Sequence, residues 1–125
     1  MRIVVAIAAL GAVLVATPVF AQTRTLDTFV TEANRIPLNP TSAIRSDARR
    51  LIREFNASMT VVGNEIREAR AAGRQPPACP PDRVQMNPRQ FLDHLNAIPQ
   101  SRRQRMTPTD GIRSWMASRY PCPAA

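Results

Sequence analysis

Lysine is absent from this chain, and glycine, histidine and aromatic residues are scarce. The four glycines do not cluster, which excludes a glycine-rich phosphate loop. His94 is the only histidine. On a helix its neighbour Asp93 would point about a hundred degrees away, so the two side chains cannot form an oriented acid–base pair. No serine lies in a glycine-flanked nucleophile motif. These absences predict a protein that is not an enzyme.

Cysteine is also scarce, since Cys79 and Cys122 are the only two. Structural zinc takes about four ligands, and His94 has no partner at ligand spacing, so we expect neither a metal nor a cofactor. The two cysteines bracket a pair of short amphipathic stretches that Pro99 separates. In an oxidising compartment, a Cys79–Cys122 disulfide would close this pair into a two-helix hairpin. We predict that bond.

The N-terminus predicts export to such a compartment. Arg2 precedes an uncharged, mostly aliphatic run over residues 3–15, and Ala21 ends a small-residue cleavage pattern. A membrane anchor is the alternative, but the run is short against the ~20 residues that span a bilayer. We therefore predict a signal peptide over residues 1–21, cleaved near Ala21, and a mature periplasmic domain over residues 22–125. No later stretch is long or apolar enough to be a membrane span.

The cationic residues are all arginine, and the formal net charge is +8. An acidic partner, anionic lipid or nucleic acid would each suit this charge. Acidic residues are interleaved with the arginines, no stacking aromatics accompany them, and export removes the protein from nucleic acid, so no nucleic-acid binding is expected. Solvated helix faces in an arginine-rich chain are the simplest explanation of the excess. Arg102, Arg103 and Arg105 form the one dense cluster.

Proline residues divide the mature chain into helical segments. An amphipathic pattern covers residues 26–36, and a longer one with steps of three and four covers residues 44–69. Thr41 or Ser42 is the expected N-cap of the long helix, which could kink near the β-branched stretch before its internal glycine. Gly73 is its expected C-terminal cap.

Two further helices carry start signals. Asn87, Pro88 and Gln90 supply the cap, first turn and capping box of a helix that ends at Pro99. Thr107 begins the last helix in the same way. We therefore predict an all-α fold, a single small domain of four to five helices with one disulfide. The expected core residues are Phe55, Leu92, Leu95, Ile112 and Trp115.

Residues 42–123 resemble the Rap/Tai-type amidase-immunity family. The resemblance rests on Cys79-Pro80-Pro81-Asp82-Arg83-Val84, Gln90-Phe91-Leu92, Pro99, Arg102-Arg103 and Tyr120-Pro121-Cys122, with a similar segment over Phe55 to Gly63. The family's further cysteine and its aromatic-glycine pair have no counterpart there, where only Gly63 remains. The resemblance implies a helical periplasmic protein that neutralises a type VI secretion peptidoglycan amidase by plugging its active-site cleft, and it suggests homodimers.

Three functional hypotheses follow from the sequence. An immunity protein would bind an amidase effector, a periplasmic stress chaperone would bind unfolded clients, and an envelope-binding structural protein would hold anionic polymers through its arginines. For an immunity protein, the expected binding segment is the loop over residues 99–105, with Arg102, Arg103 and Arg105. The stretch over residues 71–75, with Arg74, is the second candidate. Arginine suits either, since its planar fork pairs bidentately with carboxylates.

Overall fold

The computed structural model describes residues 24–124, and every regular element in that range is a helix or helical turn. The predicted signal peptide and its cleavage site lie outside the described residues. The all-α prediction is confirmed, because the described part of the chain forms five α-helices and one 3₁₀ turn. In chain order they are α1 (Leu26–Asn34), the 3₁₀ turn (Pro40–Ile44), α2 (Ser46–Ala71), α3 (Pro88–Ala97), α4 (Gln100–Arg103) and α5 (Pro108–Arg119).

The long helix α2 begins later than its sequence pattern predicted. Asn39 caps the 3₁₀ turn, where its side chain accepts the backbone N–H of Ser42. Arg45 then has extended backbone angles, so α2 starts at Ser46 without a side-chain cap. The prediction of Thr41 or Ser42 as the cap of α2 was therefore wrong, because the asparagine before Pro40 caps a separate short turn. Ile44, predicted to face the core, is 74% exposed.

Helix α2 runs without a break through Gly63 to Ala71. A glycine costs roughly 1 kcal/mol in a helix interior, and the continuous buried stripe of this helix offsets that cost. The stripe comprises Ala48, Leu51, Ser58, Val62, Ile66 and Ala69. Gly73 ends the helix as predicted: its φ is +68°, and Arg74 N–H donates to Ala69 O at 2.8 Å. Such a left-handed residue after the last turn satisfies carbonyls that the helix leaves unpaired.

The second half of the chain is the predicted hairpin, with an added helical turn. Asn87 caps α3 by accepting the N–H groups of Arg89 and Gln90, although among the described contacts Gln90 makes no return bond to complete the expected capping box. Thr107 and Asp110 form a complete capping box at α5. The segment after Pro99, predicted to be a loop, forms helix α4 instead.

The predicted disulfide is present and fastens the end of α5 to the segment before α3. The Cys79 and Cys122 sulfurs are 2.06 Å apart, and their Cα atoms are 4.9 Å apart. Cys79 N–H also donates to Tyr120 O at 2.8 Å. The hairpin is therefore closed by a covalent bond and by a backbone hydrogen bond next to it.

The core lies between α2 and α5, which pack along each other, and α1 and α3, which pack against each other and against α5. Leu95, Ile112 and Trp115 are buried as predicted, whereas Phe55 and Leu92 are partly buried at its edge. Four aromatic rings form an edge-to-face series across the core, in the order Phe55, Phe91, Trp115 and Tyr120. Helices α2 and α5 run in the same direction, since Thr109 contacts Ser58 and Arg113 pairs with Glu65. Partly buried residues at the core edge are consistent with an open surface beside them.

Helix α5 approaches α1 closely at Gly111. A Cβ at this position would lie 2.6 Å from Leu26 Cδ1 and 3.2 Å from Leu95 Cδ2. Leu26 is fully buried, and its N–H donates to Met106 O at 2.7 Å. The absence of a side chain at Gly111 therefore allows α1 to seat between α3 and α5. This seating places the C-terminal half of α1 beside the start of α2, where the candidate site lies.

Candidate functional site

An open apolar groove lies on one side of the domain. It is formed by the C-terminal half of α1, residues 36–43, the first half of α2 and the residues 86–92 that begin α3. Its volume is about 550 Å³, within the ~300–1,000 Å³ range of typical ligand sites. Phe29, Leu51 and Phe91, each buried in the core cluster, form its floor. The groove is therefore an extension of the core that opens to solvent.

Large exposed apolar side chains are concentrated at this groove. Leu38 and Ile52 are each 47% exposed, Met86 is 37% exposed, and all three line it. Ile44, at the end of the bordering 3₁₀ turn, is also exposed. Val61 is the other exposed large hydrophobic residue among residues 24–124, and it does not line the groove. Contiguous exposed apolar surface of this kind is typical of sites where a protein binds a partner, a membrane or a ligand.

The charge at the groove has one sign. Among residues 24–124, Arg89 is the only charged residue that lines it. The Arg89 side chain is exposed and has no ion-pair or hydrogen-bond partner within residues 24–124. Two neighbouring arginines are already engaged: Arg45 pairs with Asp47 at 2.9 Å, and Arg49 donates to Ile44 O at 3.0 Å. Arg89 is thus a cation beside apolar surface, and Asp93, which lines an adjoining small pocket with it, forms no ion pair with it.

Arg103, one of the predicted partner-binding residues, makes internal contacts. Its side chain is only 14% exposed, and its Nε lies 3.2 Å from Asp27 Oδ1. Its Nη1 also lies 3.4 Å from the carbonyl oxygens of Leu95 and Asn96. Arg103 therefore fastens α4 to both α1 and the end of α3. The sequence did not indicate this role. Asp27 is distant along the chain from Arg103, and the other contacts are to backbone carbonyls, which every residue carries.

The other three predicted arginines are exposed and lie at two separate places. Arg102 and Arg105 lie just before the start of α5, and Arg105 Nε donates to Ser101 O at 3.2 Å. Arg74 follows the end of α2, beside the C-terminal end of α5. In the same region, Arg70 Nη2 donates to Pro80 O at 3.1 Å. A helix of twelve residues is about 18 Å long. Arg74 therefore lies apart from Arg102 and Arg105, so the two predicted segments remain separate candidates, and none of these arginines lines the groove.

Within residues 24–124, five arginines form ion pairs with acidic side chains: Arg24, Arg45, Arg50, Arg103 and Arg113. Arg24 and Arg50 both pair with Glu32, at 2.6 Å and 3.0 Å. Burial opposes ionisation of Glu32, but the guanidiniums of Arg24 and Arg50 outweigh it and hold the pKa of this carboxyl below its ordinary value. Arg113 bonds both Glu65 and Asp110. These ion pairs agree with the expectation that many of the arginines lie on solvated helix faces.

A serine–histidine contact joins α3 to α5. His94 Nε2 lies 3.1 Å from Ser114 Oγ, and burial lowers the pKa of His94, which favours the neutral imidazole at pH 7. Neither residue lines the groove. The sequence did not indicate this pair, because the two residues are twenty positions apart on different helices. The pair acts as a polar link between the two arms of the hairpin.

No protein-family model, curated protein or solved structure matches the chain. Within residues 24–124, no helix has both the length and the apolar character that a membrane span requires. The observed disulfide is compatible with an exported protein, because such bonds persist in oxidising compartments. The apolar groove is the best-defined candidate site that the described residues offer.

Proposed function

We propose that this protein is a non-catalytic binding protein of the periplasm, of the amidase-immunity type that residues 42–123 resemble. In this proposal it binds a peptidoglycan amidase effector and covers its active-site cleft. The observation that carries the binding role is the apolar groove, with its exposed rim of Leu38, Ile52 and Met86. Burial of apolar surface contributes roughly 25 cal/mol per Å² to association before its entropic costs. A protein partner would remove this rim from water.

The arrangement of the scaffold supports the same role. Binding sites gain affinity when they are already ordered before the partner arrives. Here the floor of the groove belongs to the core, and the Cys79–Cys122 bond restrains the hairpin whose first arm, α3, forms one wall. The resemblance rests partly on these two cysteines. The proposal therefore places the partner on the groove rather than on residues 99–105, where Arg103 is held by Asp27.

Coexpression with an amidase encoded beside this gene tests the proposed function. The mature protein should form a stable complex with that amidase during size-exclusion chromatography and should suppress peptidoglycan cleavage in a dye-release assay. Replacing Arg102 and Arg105 by alanine should leave both results unchanged. If no amidase from the same genome forms a complex or loses activity, the immunity proposal is wrong.

A periplasmic chaperone is the second candidate, because an apolar groove also suits unfolded clients. The two functions differ in selectivity. A chaperone should suppress the aggregation of several unrelated proteins, such as reduced insulin and heated citrate synthase, at comparable ratios of chaperone to client. An immunity protein should leave that aggregation unchanged and inhibit one enzyme at an equimolar ratio. Light scattering of the two clients distinguishes the functions.

A further inference from the structure

We infer that the apolar groove receives an amphipathic helix of a partner protein, with Arg89 paired to a carboxylate beside the apolar face of that helix. This inference rests on the proposed binding function and adds the chemistry of the ligand. The floor of Phe29, Leu51 and Phe91 would take the apolar side chains. The exposed rim residues Leu38, Ile52 and Met86 would contact the same apolar side chains from the edge of the groove.

The shape of the groove favours a protein segment over a small apolar molecule. Small-ligand sites bury about 70–90% of the ligand surface. In this groove, by contrast, the lining residues Leu38 and Ile52 remain about half exposed, so a small molecule on the floor would leave them in water. An amphipathic helix would cover both residues, since its apolar stripe fits into a hydrophobic groove while its polar face remains in solvent. Met86 adds an adaptable contact, because methionine side chains fit irregular surfaces.

The charge of the groove favours an acidic partner. Arg89 is exposed and unpaired within residues 24–124, and no other residue that lines the groove is acidic. Asp93 lines the adjoining small pocket with Arg89 but forms no ion pair with it. A carboxylate next to the apolar stripe would accept two parallel N–H bonds from the guanidinium, which is the geometry that arginine favours. Without Arg2 of the predicted signal peptide, the mature chain has 16 arginines and 9 acidic residues, a net charge of +7, which would attract the same acidic segment at long range. A basic amphipathic helix would meet repulsion at both distances.

A pair of synthetic peptides tests the inference directly. The first is an amphipathic helix with leucine on one face and glutamate at the flanking positions; the second has arginine in place of every glutamate. Fluorescence anisotropy should show saturable binding of the acidic peptide to the mature protein. The basic peptide should bind about tenfold more weakly or not at all. Equal binding of the two peptides would show that the carboxylate assignment is wrong.

Matched variants locate the binding. Ile52→Glu places a charge in the groove wall and should weaken the acidic peptide at least tenfold. Val61→Glu is its control, because Val61 is 46% exposed on the same helix but does not line the groove. Arg89→Glu should weaken the acidic peptide and strengthen the basic one, an exchange that general loss of structure would not produce. If Ile52→Glu and Val61→Glu behaved alike, the groove would not be the binding site.

Other occupants give distinct results that would overturn the inference. Phosphatidylglycerol vesicles that bind the protein and lose binding with Ile52→Glu would indicate a membrane surface. A concentration-dependent dimer that Ile52→Glu dissociates would indicate a second copy of this chain. The inference and the proposed function also fail separately. An amidase complex unaffected by Ile52→Glu would refute the groove assignment alone, whereas groove-dependent peptide binding without any amidase complex would refute the immunity function alone.

Discussion

Removal of the Cys79–Cys122 disulfide tests what keeps this small domain folded. Both cysteines are changed to serine, so that no free thiol remains to form bonds between chains. The bond joins residues 43 positions apart, and the chain-entropy account assigns a loop of that length about 4 kcal/mol of stabilisation. Small domains unfold with a total free energy of only ~5–15 kcal/mol. The variant should therefore lose a large share of its stability.

The variant should nevertheless remain folded at room temperature. Cys79 N–H would still donate to Tyr120 O, and the Tyr120 ring would still meet Trp115, with ring centroids 6.4 Å apart. The contacts of α5 with α2, including the Arg113–Glu65 ion pair, do not depend on the bond. The expected change is therefore an earlier unfolding transition, with little loss of helical signal before it.

Urea unfolding followed by far-ultraviolet circular dichroism measures this change. Three samples are compared: the oxidised protein, the same protein reduced with dithiothreitol, and the double serine variant. The reduced protein and the variant should unfold together, with a free energy of unfolding about 4 kcal/mol below that of the oxidised protein. If the variant unfolded within ~1 kcal/mol of the oxidised protein, the reasoning that the cross-link restricts the unfolded chain would be refuted.

Three further predictions follow from packing, backbone geometry and titration. Trp115→Ala should cost ~3–5 kcal/mol in urea unfolding because the ring is 5% exposed; a cost below ~1 kcal/mol would contradict its core role. Gly63→Ala should stabilise by ~0.5–1 kcal/mol, since an added Cβ meets no atom within 4 Å. Gly73→Ala, its control, should destabilise by about 1 kcal/mol because φ is +68°. Burial lowers the pKa of His94, so the unfolded chain binds more protons and stability should fall as pH drops below about 6.5. His94→Gln should reduce the fall in melting temperature as the pH drops below about 6.5, and an unchanged fall would exclude His94 as its source.

Local chemistry made the helices and most of their ends predictable from the sequence. A cap depends on a side chain and on backbone groups within three residues of it, as at Asn87 and at Thr107. A left-handed glycine after a helix is equally local, as at Gly73. The disulfide was predictable for a simpler reason, because Cys79 and Cys122 are the only cysteines. Where two local signals competed, at Asn39 and Ser42, the sequence pattern alone chose the wrong cap.

Only the tertiary structure decided where the candidate site lies. Helical periodicity indicates which side chains face inward, but it does not say whether another segment covers them. The groove exists because Leu38, Ile52 and Met86 come from three segments that meet only in the folded chain. The burial of Arg103 against Asp27 is decided in the same way, across 76 positions of sequence. The sequence by itself thus determined four of the five α-helices and the disulfide. Contacts between distant segments determined which arginines are held and which apolar surface stays open.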